Sequence, residues 1–191
     1  MVMAIPLKGM QGKSQRNRLQ YFMDWSYESK HIRLSVCNEK DGETIAGFGY
    51  LPSVAERYFI GRPQFNALEA WVCPDLGWER FKIIRLVAHS PEDDIVGWLE
   101  ISKGNVGYIV DPRYWNSGVA SEMVQAVIQY YAPILGLTDL RASILRENTA
   151  SIRVVEKNGF RFDGIEKRRF VGMQGFATMV SYHRSVPQIQ K

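Results

Sequence analysis

The sequence has 191 residues, 46% of them apolar and 23% charged, which suits one soluble domain with a sizeable core. No stretch approaches the roughly 18 consecutive apolar residues of a membrane span. The opening MVMAIPLKGMQGK lacks the charge order and the apolar length of a secretory signal. Cys37 and Cys73 are too few for a disulfide framework and have no metal-ligand partners at useful spacing. We therefore expect a cytoplasmic protein without a membrane span or a metal site.

The formal net charge of +4 is unevenly distributed along the chain. Four cationic side chains precede the first acidic residue, Asp24, and residues 153–169 carry six Lys or Arg against three Asp or Glu. Basic surface attracts nucleic acids, phosphorylated cofactors and acidic partners. Because no aromatic-plus-basic recognition motif accompanies these charges, nucleic-acid binding is not expected.

The first 80 residues show two patterns. Residues 15–28 carry an apolar stripe at helical spacing in Leu19, Phe22 and Met23, which predicts a helix. Residues 32–51, IRLSVCNEKDGETIAGFGYL, predict a hairpin that turns at Asp41-Gly42.

Beyond residue 80, strand and helix patterns alternate. Three strands are predicted at 81–89, 95–101 and 106–111, followed by a helix with apolar positions from Ala120 to Ile134 that Pro133 should kink or end. A strand at 140–145 precedes a second helix, which Asn148 can cap and which runs to Lys157. Two more strands are predicted within 160–171 and 176–184. This β-β-β-α-β-α-β-β order predicts an α/β fold with one mixed sheet and helices packed against it.

The junction between the third of these strands and the first helix has the features of a phosphate-binding loop. The strand ends at Asp111-Pro112, and Gly118 stands where the helix begins. The first turn of a helix leaves N–H groups without internal partners at a positive dipole end, and glycine lets an anion approach the backbone closely. Asn116 or Ser117 can cap the helix when no anion is bound. Since glycine before a helix is also common in an ordinary turn, the residues alone leave both readings open.

Two motifs resemble those of the GCN5-related N-acetyltransferase (GNAT) superfamily, in the branch that acetylates the N-termini of ribosomal proteins. The first is YWNSGVASE at residues 114–122, similar to the family's cofactor loop Q/R-x-x-G-x-G/A with the Trp typical of that branch. The second is N-x-x-S from Asn148 to Ser151, followed by KNGF at residues 157–160. Both motifs stand at the family's spacing, and the resemblance covers residues 81–183.

The resemblance implies a central, mostly antiparallel sheet that is splayed at the cofactor site, with helices on both faces. It implies acetyl-CoA as co-substrate and no metal. Residues 81–185 would form the acetyl-CoA-binding core, residues 1–80 the acceptor-side elements and residues 186–191 a tail. The cofactor-binding residues carried over are Ile109 and Val110 along the pantetheine arm, Arg113, Trp115, Asn116, Ser117, Gly118, Val119 and Ala120 around the diphosphate, and Asn148 and Ser151 beside the thioester.

The implied reaction is direct attack of a primary amine on the thioester in a ternary complex. A protein α-amine, with a pKa of about 7.7–8.0, needs less deprotonation than a lysine amine with a pKa of about 10.4. Where many family members carry a leaving-group tyrosine, this chain has Val155, so the resemblance assigns the proton donor to Ser151. It assigns amine activation to Asp163, and Glu100 is a second candidate base.

Other readings have weaker support in the sequence. GMQGKS at residues 9–14 imitates the phosphate-binding loop of nucleotide hydrolases, but the position that requires glycine is Leu7. The three histidines are scattered and no G-x-S-x-G occurs, so a hydrolase triad is not expected. Two alternatives to a protein N-terminal acetyltransferase stay open: an acetyltransferase for a small amine or antibiotic, and a catalytically weak acyl-CoA-binding regulatory module.

Overall fold

The computed structural model describes residues 26–58, 83–170 and 175–187. Within these ranges one sheet contains eight strands. They are β1 (Tyr27–Glu28), β2 (Arg33–Val36), β3 (Ile83–His89), β4 (Ile95–Ser102), β5 (Asn105–Val110), β6 (Asp139–Leu145), β7 (Arg161–Arg168) and β8 (Ala177–Ser185). The predicted strands beyond residue 82 are therefore present, with ends shifted by a few residues.

The strand order is β1-β2-β3-β4-β5-β6-β8-β7, and every neighbouring pair is antiparallel except β5 and β6. These two parallel strands pair at a single position, Asn105 with Arg141. On its other side β5 pairs with β4 along its whole length, from Asn105 to Val110. The sheet therefore opens between β5 and β6, and the last residues of β5 border a gap.

Helices cover both faces of the sheet. One face carries α1 (Gly42–Gly49) and α2 (Pro52–Tyr58), and the other carries α3 (Val119–Ala126), a π-helical segment (Val127–Tyr131), α4 (Ala132–Ile134) and α5 (Thr149–Lys157). Adjacent strand residues enter different cores: Leu86 and Leu99 pack with the α3 side, whereas Val87 and Trp98 pack with the α1 side. Such alternation follows from the period of two in a strand. The predicted fold class is confirmed.

The hairpin predicted at Asp41-Gly42 is wrong. After β2 the chain forms a 3₁₀ turn (Glu39–Asp41) and then α1, whose buried residues are Gly42, Ile45, Ala46, Phe48 and Gly49. Their spacing of three and four residues is helical, because it places them on one side of the helix against the sheet. The Asp41 carboxylate accepts a hydrogen bond from the Asn38 amide at 2.8 Å and stabilises this helical entry rather than a strand turn.

The helix predicted at 15–28 lies mostly outside the described residues, as do Cys73 and GMQGKS; its last residues, Tyr27–Glu28, form β1.

The first long helix becomes π-helical at Val127–Tyr131, just before Pro133, where the sequence predicts a kink or an end. The Ala132 amide donates to the Val127 carbonyl five residues back, so the turn preceding the proline is widened. This change is expected where a proline ring lacks the N–H needed by a carbonyl four residues earlier. Gly136, at a φ of 72°, then ends the helix.

Candidate active site

The site begins where β5 ends. The buried Asp111 carboxylate accepts hydrogen bonds from the Arg113 amide at 2.9 Å and from its guanidinium at 3.0 and 2.7 Å. These bonds, with the attraction of the carboxylate, raise the pKa of Arg113. The sequence predicts Arg113 as an added charge for the diphosphate. In the structure its guanidinium is already bound by Asp111, which would compete with a diphosphate for it.

The loop that follows is held by its own side chains. The Trp115 indole N–H donates to the Val110 carbonyl at 2.8 Å, and the Ser117 hydroxyl donates to the Tyr114 carbonyl at 2.6 Å. Asn116 adopts a φ of 60°, in the left-handed region that asparagine tolerates better than most residues. Ser117 thus stabilises the turn instead of capping α3.

Gly118 is the N-cap residue of α3, with a φ of 93° and no side-chain capping bond. The first helical bond runs from the Glu122 amide to the Gly118 carbonyl at 3.0 Å. The amides of residues 119–121 therefore have no acceptor within the helix. A Cβ built at Gly118 would meet no protein atom within 4 Å. An uncapped helix N-terminus with open space in front of it is a suitable place for a diphosphate. This geometry agrees with the prediction that the loop binds acetyl-CoA.

A cleft of about 530 Å³ connects this helix terminus with the gap in the sheet. Its lining includes most of the predicted cofactor-binding residues: Ile109, Val110, Trp115, Asn116, Gly118, Val119, Ala120, Asn148 and Ser151. Arg113 and Ser117 do not line it. The tertiary structure therefore brings the two sequence motifs, which are some 30 residues apart, to one space.

The backbone of β5 presents alternate residues to this gap. The Asp111 amide donates to the Val96 carbonyl on the β4 side at 3.0 Å, whereas the Gly104 carbonyl accepts from the Arg141 amide on the β6 side at 2.9 Å. Backbone N–H and C=O groups alternate in direction along a strand. The N–H and C=O groups of Tyr108 and Val110 therefore point towards the gap, and those of Ile109 point towards β4. Of the two residues predicted to bind the pantetheine arm, Val110 is the one whose N–H can donate there.

Helix α5 contributes its first turn to the cleft. Asn148 caps the helix by accepting a hydrogen bond from the Ser151 amide at 3.2 Å, as the sequence predicts. At the other end of α5, the buried Asn158 donates to the Ser121 hydroxyl at 3.1 Å. This bond joins α5 to α3, so the two helices that flank the cleft are held together.

Tyr108 is a cleft residue that the motifs did not indicate. Its hydroxyl donates to the Ser151 carbonyl at 3.3 Å, at the start of α5. Burial raises the pKa of Tyr108 to about 12, so the hydroxyl keeps its proton at neutral pH. The sequence signal available was its position two residues before Val110, because residues two apart in a strand face the same side.

The two predicted bases lie elsewhere. Glu100 forms an ion pair with Arg85 at 3.0 Å, and their side chains are only 15% and 5% exposed. Asp163 stands at an irregularity of β7 between Phe162 and Gly164 and lies 3.6 Å from His183 Nδ1. Neither carboxylate lines the cleft, so the assignment of a base to Glu100 or Asp163 remains a prediction.

The described lining of the cleft is cationic. Arg57 reaches it from α2, and Arg153 and Lys157 reach it from α5. The charge in this space is therefore suited to a phosphorylated ligand.

The described residues contain no cluster of three metal-ligating side chains, and none of their helices is long and apolar enough to cross a membrane.

The fold and the cleft define an α/β protein that can hold a diphosphate at a helix N-terminus, beside an opened sheet. A sequence model described as the acetyltransferase (GNAT) domain matches residues 14–161, and this chain belongs to that family. The predicted superfamily is thereby confirmed, and the match begins well before residue 81, where the resemblance carried by the two motifs starts.

Two proteins with similar sequences are named as N-acetyltransferases. The chain is 36% identical over 96 residues to the uncharacterized N-acetyltransferase YnaD of Bacillus subtilis, which covers 47% of this chain and 54% of the relative. It is 35% identical over 63 residues to YoaA of the same species, likewise uncharacterized, covering 33% of this chain and 36% of the relative. The chain thus spans between about a third and a half of these relatives.

Solved structures share the fold at lower identity. A ribosomal-protein-S5-alanine acetyltransferase from Vibrio fischeri superposes with a TM-score of 0.72 at 20% identity, covering 85% of this chain and 97% of that one. A spermidine N-acetyltransferase from Vibrio cholerae, in complex with CoA and spermine, gives 0.71 at 16% identity, covering 83% and 97%. Because both identities are low and the acceptors differ, these likenesses establish the fold and leave the acceptor to be argued from the site.

Proposed function

We propose that this protein is an acetyl-CoA-dependent N-acetyltransferase that acetylates a protein N-terminal α-amine. One observation carries the proposal: the uncapped α3 terminus at Gly118 and the opened edge of β5 at Val110 line a single cleft with Ser151. The first feature suits a diphosphate, and the second leaves a backbone donor beside the point where a thioester attached to that diphosphate would lie.

Bound acetyl-CoA supplies an activated acetyl group. As the amine nitrogen bonds to the acetyl carbon, the Val110 N–H can donate to the oxygen that becomes negative. When the carbon–sulfur bond breaks, a hydroxyl at the start of α5 returns a proton to the thiolate; Ser151 is the predicted donor, and Tyr108 stands beside it with a hydroxyl that is protonated at neutral pH. The proton lost by the amine passes to water or to a carboxylate, for which Asp163 and Glu100 remain the candidates.

The two sequence motifs favour a protein N-terminus over a polyamine, because they resemble the branch that acetylates the N-termini of ribosomal proteins. A peptide brings one α-amine, of which at least about half is neutral at pH 8 because its pKa is about 7.7–8.0. Small amines with a single charge are the second class of acceptor to test.

The test is release of free CoA thiol from acetyl-CoA with a panel of acceptors. The panel contains a peptide with a free N-terminus, the same peptide with a blocked N-terminus and an internal lysine, spermidine, and a small monoamine. We expect turnover with the free peptide alone. Turnover on spermidine or on the blocked peptide would refute the proposed acceptor, and tight acetyl-CoA binding without turnover on any acceptor would identify a regulatory module instead.

Ser151→Ala separates binding from chemistry. If Ser151 protonates the thiolate, the variant should bind acetyl-CoA as the wild type does and turn over more slowly, by roughly 100-fold. Tyr108→Phe provides the matched variant, since it removes only a hydroxyl from the same place. Unimpaired turnover in Ser151→Ala, with a loss in Tyr108→Phe, would transfer the role of proton donor to Tyr108.

A further inference from the structure

Helix α2 forms a wall of the cleft that the sequence motifs did not include. Its cleft-lining residues are Ser53, Val54 and Arg57; Arg57 follows Ser53 by four positions and Val54 by three, and therefore lies on their side of the helix. Val54 is 4% exposed and belongs to the same core cluster as Ile109 of β5. This shared core holds α2 against the sheet, and the next turn of the helix brings Arg57 to the cleft.

Arg57 is positioned there by an aromatic ring of the cofactor loop. Its guanidinium carbon lies 5.0 Å from the centre of the Trp115 ring, within the range of a cation–π contact. The ring is itself held by the bond from its indole N–H to the Val110 carbonyl. A guanidinium stacked in this way keeps its N–H groups in the plane of the fork, free to donate at the edge.

The charge of Arg57 has no carboxylate partner in an ion pair among the residues that the structure describes. Arg113, only two residues from Trp115, differs in this respect because Asp111 binds it through two guanidinium nitrogens. Of these two arginines, Arg57 is the one that lines the cleft. Helix α5 contributes two further cations to the lining, Arg153 and Lys157.

We propose that Arg57 binds a phosphate oxygen of the CoA diphosphate from the α2 wall of the cleft. The inference rests on the proposed function only in that the ligand carries a diphosphate. Arg57 is then a specificity-determining residue that α2 adds to the helix terminus, and Trp115 acts as a positioning residue that orients its guanidinium. The contact also joins α2 to the cofactor loop when the donor is bound.

The test compares three probes, CoA, 3′-dephospho-CoA and pantetheine, with the wild type, Arg57→Ala and Arg57→Lys by calorimetry. We expect Arg57→Ala to weaken both CoA and 3′-dephospho-CoA by roughly ten-fold, as expected for removal of a charged donor to phosphate, and to leave pantetheine within about two-fold. Arg57→Lys should show a smaller loss, since it keeps the charge but not the planar stacking. Arg161→Ala, an exposed arginine on β7 outside the cleft, is the matched control and should change nothing.

Three outcomes would overturn the inference. The first is unchanged CoA affinity in Arg57→Ala, and the second is an equal loss for pantetheine, which would indicate a structural role. The third is a loss for CoA but not for 3′-dephospho-CoA, which would place the contact on the 3′-phosphate. Wild-type CoA binding without acetyl transfer would refute the proposed function and leave this inference standing, whereas normal turnover with unchanged affinity in Arg57→Ala would refute this inference alone.

Discussion

Replacing Gly118 with aspartate tests the binding of an anion at the start of α3 most directly. In the free protein the new Cβ meets no atom within 4 Å, so the protein itself has room for the side chain. The φ of 93° is nevertheless unfavourable for any residue with a Cβ. We expect a cost of about 1–2 kcal/mol in the free energy of unfolding, which a folded domain can tolerate.

The effect on ligand binding should be larger than the effect on stability. An aspartate at the helix terminus would repel a diphosphate bound there: two unit charges about 5 Å apart repel by about 3 kcal/mol at an effective dielectric constant of about 20. Such a penalty corresponds to a loss of affinity of more than about 100-fold. The side chain can also accept bonds from the amides of residues 119–121, in competition with the ligand.

Gly136→Asp is the matched control for this variant. Gly136 is exposed and also has a positive φ, 72°, and a Cβ added there would meet no atom within 4 Å, but it follows the end of α4 and lies outside the cleft. The assay is calorimetric titration with CoA, after thermal melting has shown that both variants fold. Strong CoA binding by Gly118→Asp, equal to that of Gly136→Asp, would refute the assignment of the loop as the diphosphate site.

Three further predictions follow from the same structure. Asn148→Ala removes the cap of α5 and should lower the free energy of unfolding by about 1 kcal/mol while weakening acetyl-CoA binding, as measured by denaturant titration and calorimetry; a stable variant with normal affinity would contradict the capping role. Glu100→Gln breaks a buried ion pair with Arg85 and should cost about 3 kcal/mol or more in denaturant titration, whereas a stable but inactive variant would indicate that Glu100 is the base. Burial raises the pKa values of Tyr27 and Tyr108 to about 12 from an ordinary 10. Because the unfolded state loses these protons at lower pH than the folded state, the free energy of unfolding should decrease as the pH rises from 10 through 12. Tyr108→Phe should make this decrease smaller in denaturation measured against pH, and an unchanged slope would refute the prediction.

Local patterns predicted the elements that depend on local forces. Asn148 caps α5 as expected, because a capping bond spans only three residues. Gly118 begins α3 as expected, because only glycine adopts its φ without strain. The hairpin at Asp41-Gly42 was wrong for the opposite reason: Asp-Gly favours a turn locally, but burial of Ile45 and Phe48 against the sheet decides for a helix.

The sequence by itself determined the family, the two motifs and the order of strands and helices beyond residue 80, since each depends on residues that are close in the chain. Only the tertiary structure decided which groups share the cleft. Arg57 and Trp115 are 58 positions apart in the chain, and their contact exists because α2 and β5 share one buried core. Arg85 binds Glu100 between β3 and β4, so this candidate base already has a partner. The Arg57–Trp115 and Arg85–Glu100 contacts depend on how separate elements pack together, for which no periodicity or spacing in the chain provides a signal.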